Sequence, residues 1–207
     1  MKTSFAALVG AILIAHSTWT LAASSVDLNV KGSITPSACD TTLSQDGAID
    51  YGKIAAKDLS IDRVTFLPRV TLQLNVACEA QTLFALNTRD NRFGSASTAQ
   101  GYYYGLGLIN GDQKLGKYRI DLLNPVADIP VYPLFSDDSG ATWIANPDGS
   151  YMGHDYWSAF GDTPTPKPLR NVTVDLRIAT SIAPTRDLTL TAEVPLDGSA
   201  TLDLMYL

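Results

Sequence analysis

His154 and Asp155 stand side by side, followed by Tyr156 and Trp157. An imidazole next to a carboxylate is the pairing that general acid–base catalysis uses. Neighbouring residues of an extended chain face opposite ways, however, and no nucleophile motif accompanies the pair. A surface loop is the reading that the sequence favours. The chain has 207 residues but only two histidines and two cysteines. That leaves little material for a protein-bound metal or a histidine-dependent active site. Neither a paired-carboxylate nor a triad arrangement stands out, so no cofactor and no enzymatic activity are expected. A small secreted β-sandwich hydrolase is the enzyme-class alternative. Acidic residues outnumber basic ones, 21 to 15, for a formal net charge of −6. The basic footprint of a nucleic-acid binder is therefore absent.

Ser136-Asp137-Asp138-Ser139-Gly140-Ala141-Thr142-Trp143 matches the S-x-D-x-G-x-T-W pattern of the sialidase Asp-box. It occurs once, in a chain too short for the propeller that sialidases need. It reads as a hairpin device in which Asp138 and Ser139 satisfy turn amides, Gly140 takes an unusual backbone angle and Trp143 packs. Trp143, Tyr156 and Trp157 could instead stack on sugar rings, which makes a surface or host glycan a candidate ligand. Tyr102, Tyr103 and Tyr104 are expected to split between the faces of one strand.

The first 23 residues have the composition of a secretory signal peptide. Lys2 supplies a positive end, Phe5 to Ala15 is apolar, and Ala22 and Ala23 offer a cleavage site. The run is too short for a permanent membrane helix. Cleavage is placed after Ala23, with Ala22 as the alternative. Removal takes away Lys2 and His16, which leaves His154 as the one histidine of the exported part. Cys39 and Cys78 both lie in that part. Two thiols in an oxidising compartment are expected to form one disulfide, two separate free thiols being the alternative.

Period-2 alternation dominates what remains. Val26, Leu28, Val30, Gly32 and Ile34 share one face of an extended segment. Val70 to Cys78, Val172 to Ile178, Leu188 to Val194 and Ala200 to Tyr206 alternate in the same way. Each reads as a half-buried strand. Helical periodicity is confined to a single turn within Ile54 to Leu59. Turn signals separate the runs at Asp46-Gly47, Asn110-Gly111-Asp112, Pro147-Asp148-Gly149 and Asp197-Gly198. Short strands at this spacing indicate an all-β antiparallel sandwich. Residues 124–168, rich in Pro, Gly and aromatic residues, read as a long, partly looped insertion within one domain.

The two ends of the exported part resemble the pilin subunits of chaperone–usher fimbriae. Val26-Asp27-Leu28-Asn29-Val30-Lys31-Gly32-Ser33-Ile34 looks like a pilin donor strand, with Gly32 at the small-pocket position. Ser37-Ala38-Cys39 looks like the first pilin cysteine, and Cys78 would close the family's disulfide. Gly198, followed by Ala200, Leu202, Leu204, the penultimate Tyr206 and Leu207, is similar to the terminal strand motif. Asp50-Tyr51-Gly52-Lys53-Ile54 and Tyr104-Gly105-Leu106-Gly107-Leu108 with Lys114-Leu115-Gly116 resemble a branch of fimbrial-like major subunits that carries the label of a domain of unknown function.

The resemblance implies an incomplete immunoglobulin-like β-sandwich (the pilin fold) over residues 36–207, completed by donor-strand exchange with the arm, 24–35, of a neighbouring subunit. It also implies export through the periplasm to the bacterial cell surface, a role in adhesion, and three partners: a periplasmic chaperone that meets the Leu207 carboxylate, an outer-membrane usher, and neighbouring subunits. A minor or tip adhesin that binds a glycan through the 124–168 aromatic residues is the alternative within the same family.

Overall fold

The computed structural model describes residues 38–207. The expected leader (1–23) and the arm residues Val26, Leu28, Val30, Gly32 and Ile34 lie outside the described residues. The strands are β1 (Cys39–Leu43), β2 (Thr65–Phe66), β3 (Val70–Thr82), β4 (Phe84–Asp90), β5 (Tyr104–Gly105), β6 (Leu108–Ile109) and β7 (Gln113–Lys114) in the first half. They continue as β8 (Gly116–Ala127), β9 (Tyr132–Ser136), β10 (Ile144–Ala145), β11 (Ser150–Tyr151), β12 (Trp157–Gly161), β13 (Leu169–Ile182) and β14 (Ala200–Tyr206). Among the described residues the helical segments are 3-10 turns of three or four residues, one of them Ala56–Asp58, inside the expected single turn.

Every strand pairing is antiparallel. One sheet has the order β1-β3-β13-β8-β11, with β2 added to β13 and β5 to β8. The second has the order β10-β9-β12-β4-β14, and β6 and β7 form a small two-stranded sheet of their own. The alternation seen in the sequence explains how they pack. Leu72, Leu74 and Val76 of β3 and Val172, Val174, Leu176 and Ile178 of β13 form the inner face of the first sheet. They meet Phe84 and Leu86 of β4 and Phe160 of β12. Leu74, Val76, Leu86, Val172 and Val174 are at most 1% exposed. Burial at that level contributes roughly 1.5–3 kcal/mol for each large side chain.

Two parts of the chain differ from expectation. Residues 124–168 are not set apart from the sandwich: they supply β9, β10 and β12 to the second sheet and β11 to the first. Leu188 to Val194 forms no strand and bends at Thr191 and Ala192. Its alternation survives in part: Leu188 is buried and Leu190 and Val194 pack against the core, while Ala192 is exposed. Its backbone is met by side chains instead of a neighbouring strand. The Thr189 amide donates to Gln113 Oε1, 2.8 Å, and the Thr189 carbonyl accepts from Asn110 Nδ2, 2.9 Å. Likewise only Tyr104 of the three consecutive tyrosines lies in a strand.

The Ser136–Trp143 segment is the β9–β10 hairpin. Asp138 does the expected work, but its partner is Ser136 rather than Ser139. Asp138 Oδ1 accepts from the Ser136 hydroxyl, 2.7 Å, and the Thr142 amide, 2.9 Å; its Oδ2 accepts from the Thr142 hydroxyl, 2.6 Å. Ser136 Oγ accepts from the Gly140 amide, 2.9 Å. Gly140 has φ +85°, and a Cβ there would press on Trp157 and Trp143 at 3.0–3.3 Å.

The Thr142 and Ser136 hydroxyls, then the Thr142 amide, hold the Asp138 carboxyl down to about 2. A depressed folded-state value stabilises the fold above the unfolded carboxyl's range and is lost as pH falls toward that value. Asp138→Ala should lower Tm at pH 7, and the gap to the parent protein should close between roughly pH 4 and pH 2; thermal melts across that range check it.

Cys39 and Cys78 are bonded, and they face each other in the β1–β3 register. The bond closes a separation of 39 residues. Chain-entropy arithmetic for such a loop gives about 4 kcal/mol. The double variant Cys39→Ala, Cys78→Ala should therefore unfold in urea with a stability lower by about that amount. Reducing agent should destabilise the parent protein and leave the variant unchanged.

Candidate functional site

β14 pairs along its whole length with β4, from Ala200↔Asp90 to Tyr206↔Phe84. On its other side no strand follows among the described residues. Among the described residues, the backbone N–H and C=O groups along that edge have no ladder. Alternation sorts the side chains of β14. Thr201 bonds Asn91, 3.1 Å, and Asp203 pairs with Arg89, 2.9 Å, on the outer face. Leu202 and Leu204 turn inward against the core, yet both are only half-buried. The central strands bury the equivalent residues almost completely.

The facing edge belongs to β1, the outermost strand of the first sheet. The two edges meet at one point, where the Cys39 amide donates to the Tyr206 hydroxyl at 3.0 Å. The aromatic next to last thus pins the end of one sheet to the start of the other, with Tyr206 and Leu207 42% and 44% exposed. A cleft of about 580 Å³ opens between residues 49–59 and residues 190–196, which form its two rims. Ile49, Ile54, Leu59, Leu190 and Val194 line it, and the buried Leu115 and Ile182 contribute from the core.

Polar contacts hold the rims. The Tyr51 hydroxyl donates to Thr180 Oγ1, 2.9 Å, and Lys53 Nζ reaches Glu193 across the cleft at 3.1 Å. The latter pair is 88% and 80% exposed. Solvent screening limits such a pair to at most about 1 kcal/mol, so it does not lock the cleft. Asp50-Tyr51-Gly52-Lys53-Ile54, noted in the sequence as a resembling motif, therefore forms part of a rim. Gly198 lies just before β14, its Cβ position 3.0 Å from Leu106 and Tyr118.

The second resembling motif forms a brace under β4. Tyr104 is fully buried, and its hydroxyl donates to Thr88 Oγ1 at 2.8 Å. The buried Asp90 carboxylate accepts from the Gly105 and Arg92 amides, both 2.8 Å. A Cβ on Gly105 would collide with Ser95 Oγ. Burial pushes the Tyr104 phenol well above its ordinary range. Outside, Arg92 grips Asp197 at 2.7 Å, which holds that carboxyl below the usual range and ties the approach to β14 onto β4. Asp90 has no periodic or motif signal in the sequence; only the topology reveals it.

His154 belongs to this brace. Its Nδ1 accepts from the Asp90 amide, 2.9 Å, and Asp155 Oδ2 stands 3.4 Å from Nε2. Phe93 stacks on the ring with centroids 4.0 Å apart. The imidazole thus bridges β4 and the loop before β12. The three aromatics considered for sugar stacking fall into two places. Trp143 and Trp157 pack on Ala85, Leu134 and Ala159, with Gly140 between them. Tyr156 packs edge-on to Phe135, 5.0 Å, beside Gly101 and Gly153.

Residues 28–112 match the model of a family described as a protein of unknown function, DUF1120. The chain is similar to the uncharacterized protein YhcF of Escherichia coli (strain K12). The two are 27% identical over 224 residues, with 90% of this chain and 92% of that one covered. It is also similar to the protein GltF of the same organism, 26% identical over 224 residues, with 87% and 88% covered. Over 28–112, then, the chain resembles a family of unknown function, and over most of its length it resembles two Escherichia coli proteins.

Proposed function

We propose that this chain is a structural, non-enzymatic subunit of a bacterial surface fimbria. It is exported through the periplasm and assembled by the chaperone–usher route. One observation carries the reading: among the described residues β14 presents an edge with no partner strand, beside half-buried Leu202 and Leu204. Such an edge invites the addition of another strand, with main-chain bonds giving affinity and alternate side chains giving register.

The arm has the matching chemistry. Val26, Leu28, Val30 and Ile34 offer four large apolar side chains on one face, and Gly32 has none to obstruct a tight passage. At roughly 1.5–3 kcal/mol for each large residue, the arm supplies about 6–12 kcal/mol as an upper bound. A periplasmic chaperone occupies the groove first, with the Leu207 carboxylate on its basic residues. An outer-membrane usher then exchanges it for the arm of the next subunit, and the finished fibre contributes to adhesion.

The armless chain, residues 36–207, should be unstable alone and should gain a cooperative melt when a peptide spanning Ser24 to Thr35 is added. Cooperative unfolding without any peptide contradicts the reading. Gly32→Leu should block or slow fibre growth while leaving chaperone binding largely intact, as measured by polymerisation of purified chaperone complexes. Normal fibre yield would count against the position given to Gly32.

A further inference from the structure

A second cleft, of about 330 Å³, opens on the first sheet away from the groove. Its floor is the β13 stretch Ala179–Ser181, where the side chains are small. Longer residues of the flanking strands stand on either side. Ser181 pairs with Phe66 of β2 and with Lys117 of β8, and Ala179 pairs with Arg119. Arg69 and Tyr103 complete the wall. Three cations therefore converge in a protein whose net charge is −6, and no carboxylate lines the cleft. Asp121, which does not line the cleft, is shared between Arg119 at 2.6 Å and Arg177 at 3.0 Å, so this trio keeps a surplus positive charge.

The cations differ in their engagement. Arg119 is fixed by Asp121. Lys117 Nζ donates to Thr98 Oγ1, 2.7 Å, and stands 3.8 Å over the Tyr103 ring. Burial lowers the readiness of Lys117 to hold its proton, a cost that a bound anion would offset. The Arg69 side chain is exposed and has no partner among the described residues. Phe66, 79% exposed, offers a bare ring at the rim. A line of tyrosines then leads away: Tyr103 to Tyr102 at 4.6 Å, and Tyr102 to Tyr151 at 5.1 Å. Tyr151 lies opposite Asp121 in the β11–β8 register, so the line follows β8 along the sheet.

We propose that this cleft and its tyrosine line bind a linear acidic oligosaccharide of the uronate type, with a sugar carboxylate held by Arg69 and Lys117 and successive rings laid on Tyr103, Tyr102 and Tyr151. The chemistry argues for this occupant. An arginine fork matches a single planar carboxylate, and amphipathic phenol rings suit the mixed faces of pyranoses. The site differs from Trp143, Tyr156 and Trp157. It does not rest on the fibre reading, since a chain that polymerises but binds no sugar would defeat this proposal alone.

The test is calorimetric titration of the full exported chain with tri-galacturonic acid, with its fully methyl-esterified form, and with inorganic phosphate. The acid should bind, more weakly as salt rises, and the ester and phosphate should not compete. Arg69→Gln should weaken binding about tenfold or more at an unchanged melting temperature, because that side chain has no partner to lose. Tyr102→Ala should weaken the trimer more than the monosaccharide acid. No binding of the acid, equal binding of the ester or phosphate, or full affinity in Arg69→Gln would each overturn the proposal.

Discussion

A strand that lies at the end of a sheet has hydrogen-bonding groups on one side that water or another chain must satisfy. Among the described residues that strand is β14, and its half-buried Leu202 and Leu204 make the problem sharper than an ordinary edge does. An edge strand exposed to solvent on both faces can remain hydrated at little cost. β14 closes one side of the apolar interior, so covering its edge also covers half-buried leucines. Backbone pairing and apolar burial would then be gained in the same step.

Among the described residues, the contacts around that edge keep it in place without covering it. The disulfide holds β1 to β3, so the facing rim cannot peel away toward β14. The Cys39–Tyr206 hydrogen bond sets one end of the gap. At the other end, the Arg92–Asp197 pair and the buried Asp90 fix the approach to β14 upon β4. Buried carboxylates are costly unless their oxygens are matched, and here two backbone amides match them. Among the described residues, these contacts hold both ends of the edge that β14 presents.

The sequence made the main strands legible because their inner and outer faces differ: Leu72, Leu74 and Val76 alternate with Thr71, Gln73 and Asn75, and β13 and β14 repeat the pattern. The same signal misled at Leu188 to Val194. Alternation reports that one face is buried, and says nothing of whether the backbone has a neighbour. There, Gln113 and Asn110 side chains took the neighbour's part. The prolines and aromatics of 124–168 suggested an insertion because short strands broken by turns carry weak periodicity. Asp90 was invisible, since a lone buried carboxylate has no spacing rule. The basic cleft was equally hidden: Arg69 and Lys117 lie far apart in the chain, and only the β2-β13-β8 neighbourhood brings them together.

The central claim is that β14 receives its missing neighbour from another molecule. The most direct measurement places a photo-crosslinking residue at Leu204 and assembles a mixture of isotopically heavy and light chains. Mass spectrometry of the products then identifies the captured segment. Crosslinks that join a heavy β14 to a light peptide from residues 24–35 are the expected result. If every captured segment carries the same label as the β14 that caught it, each chain completes its own sheet and the account is contradicted.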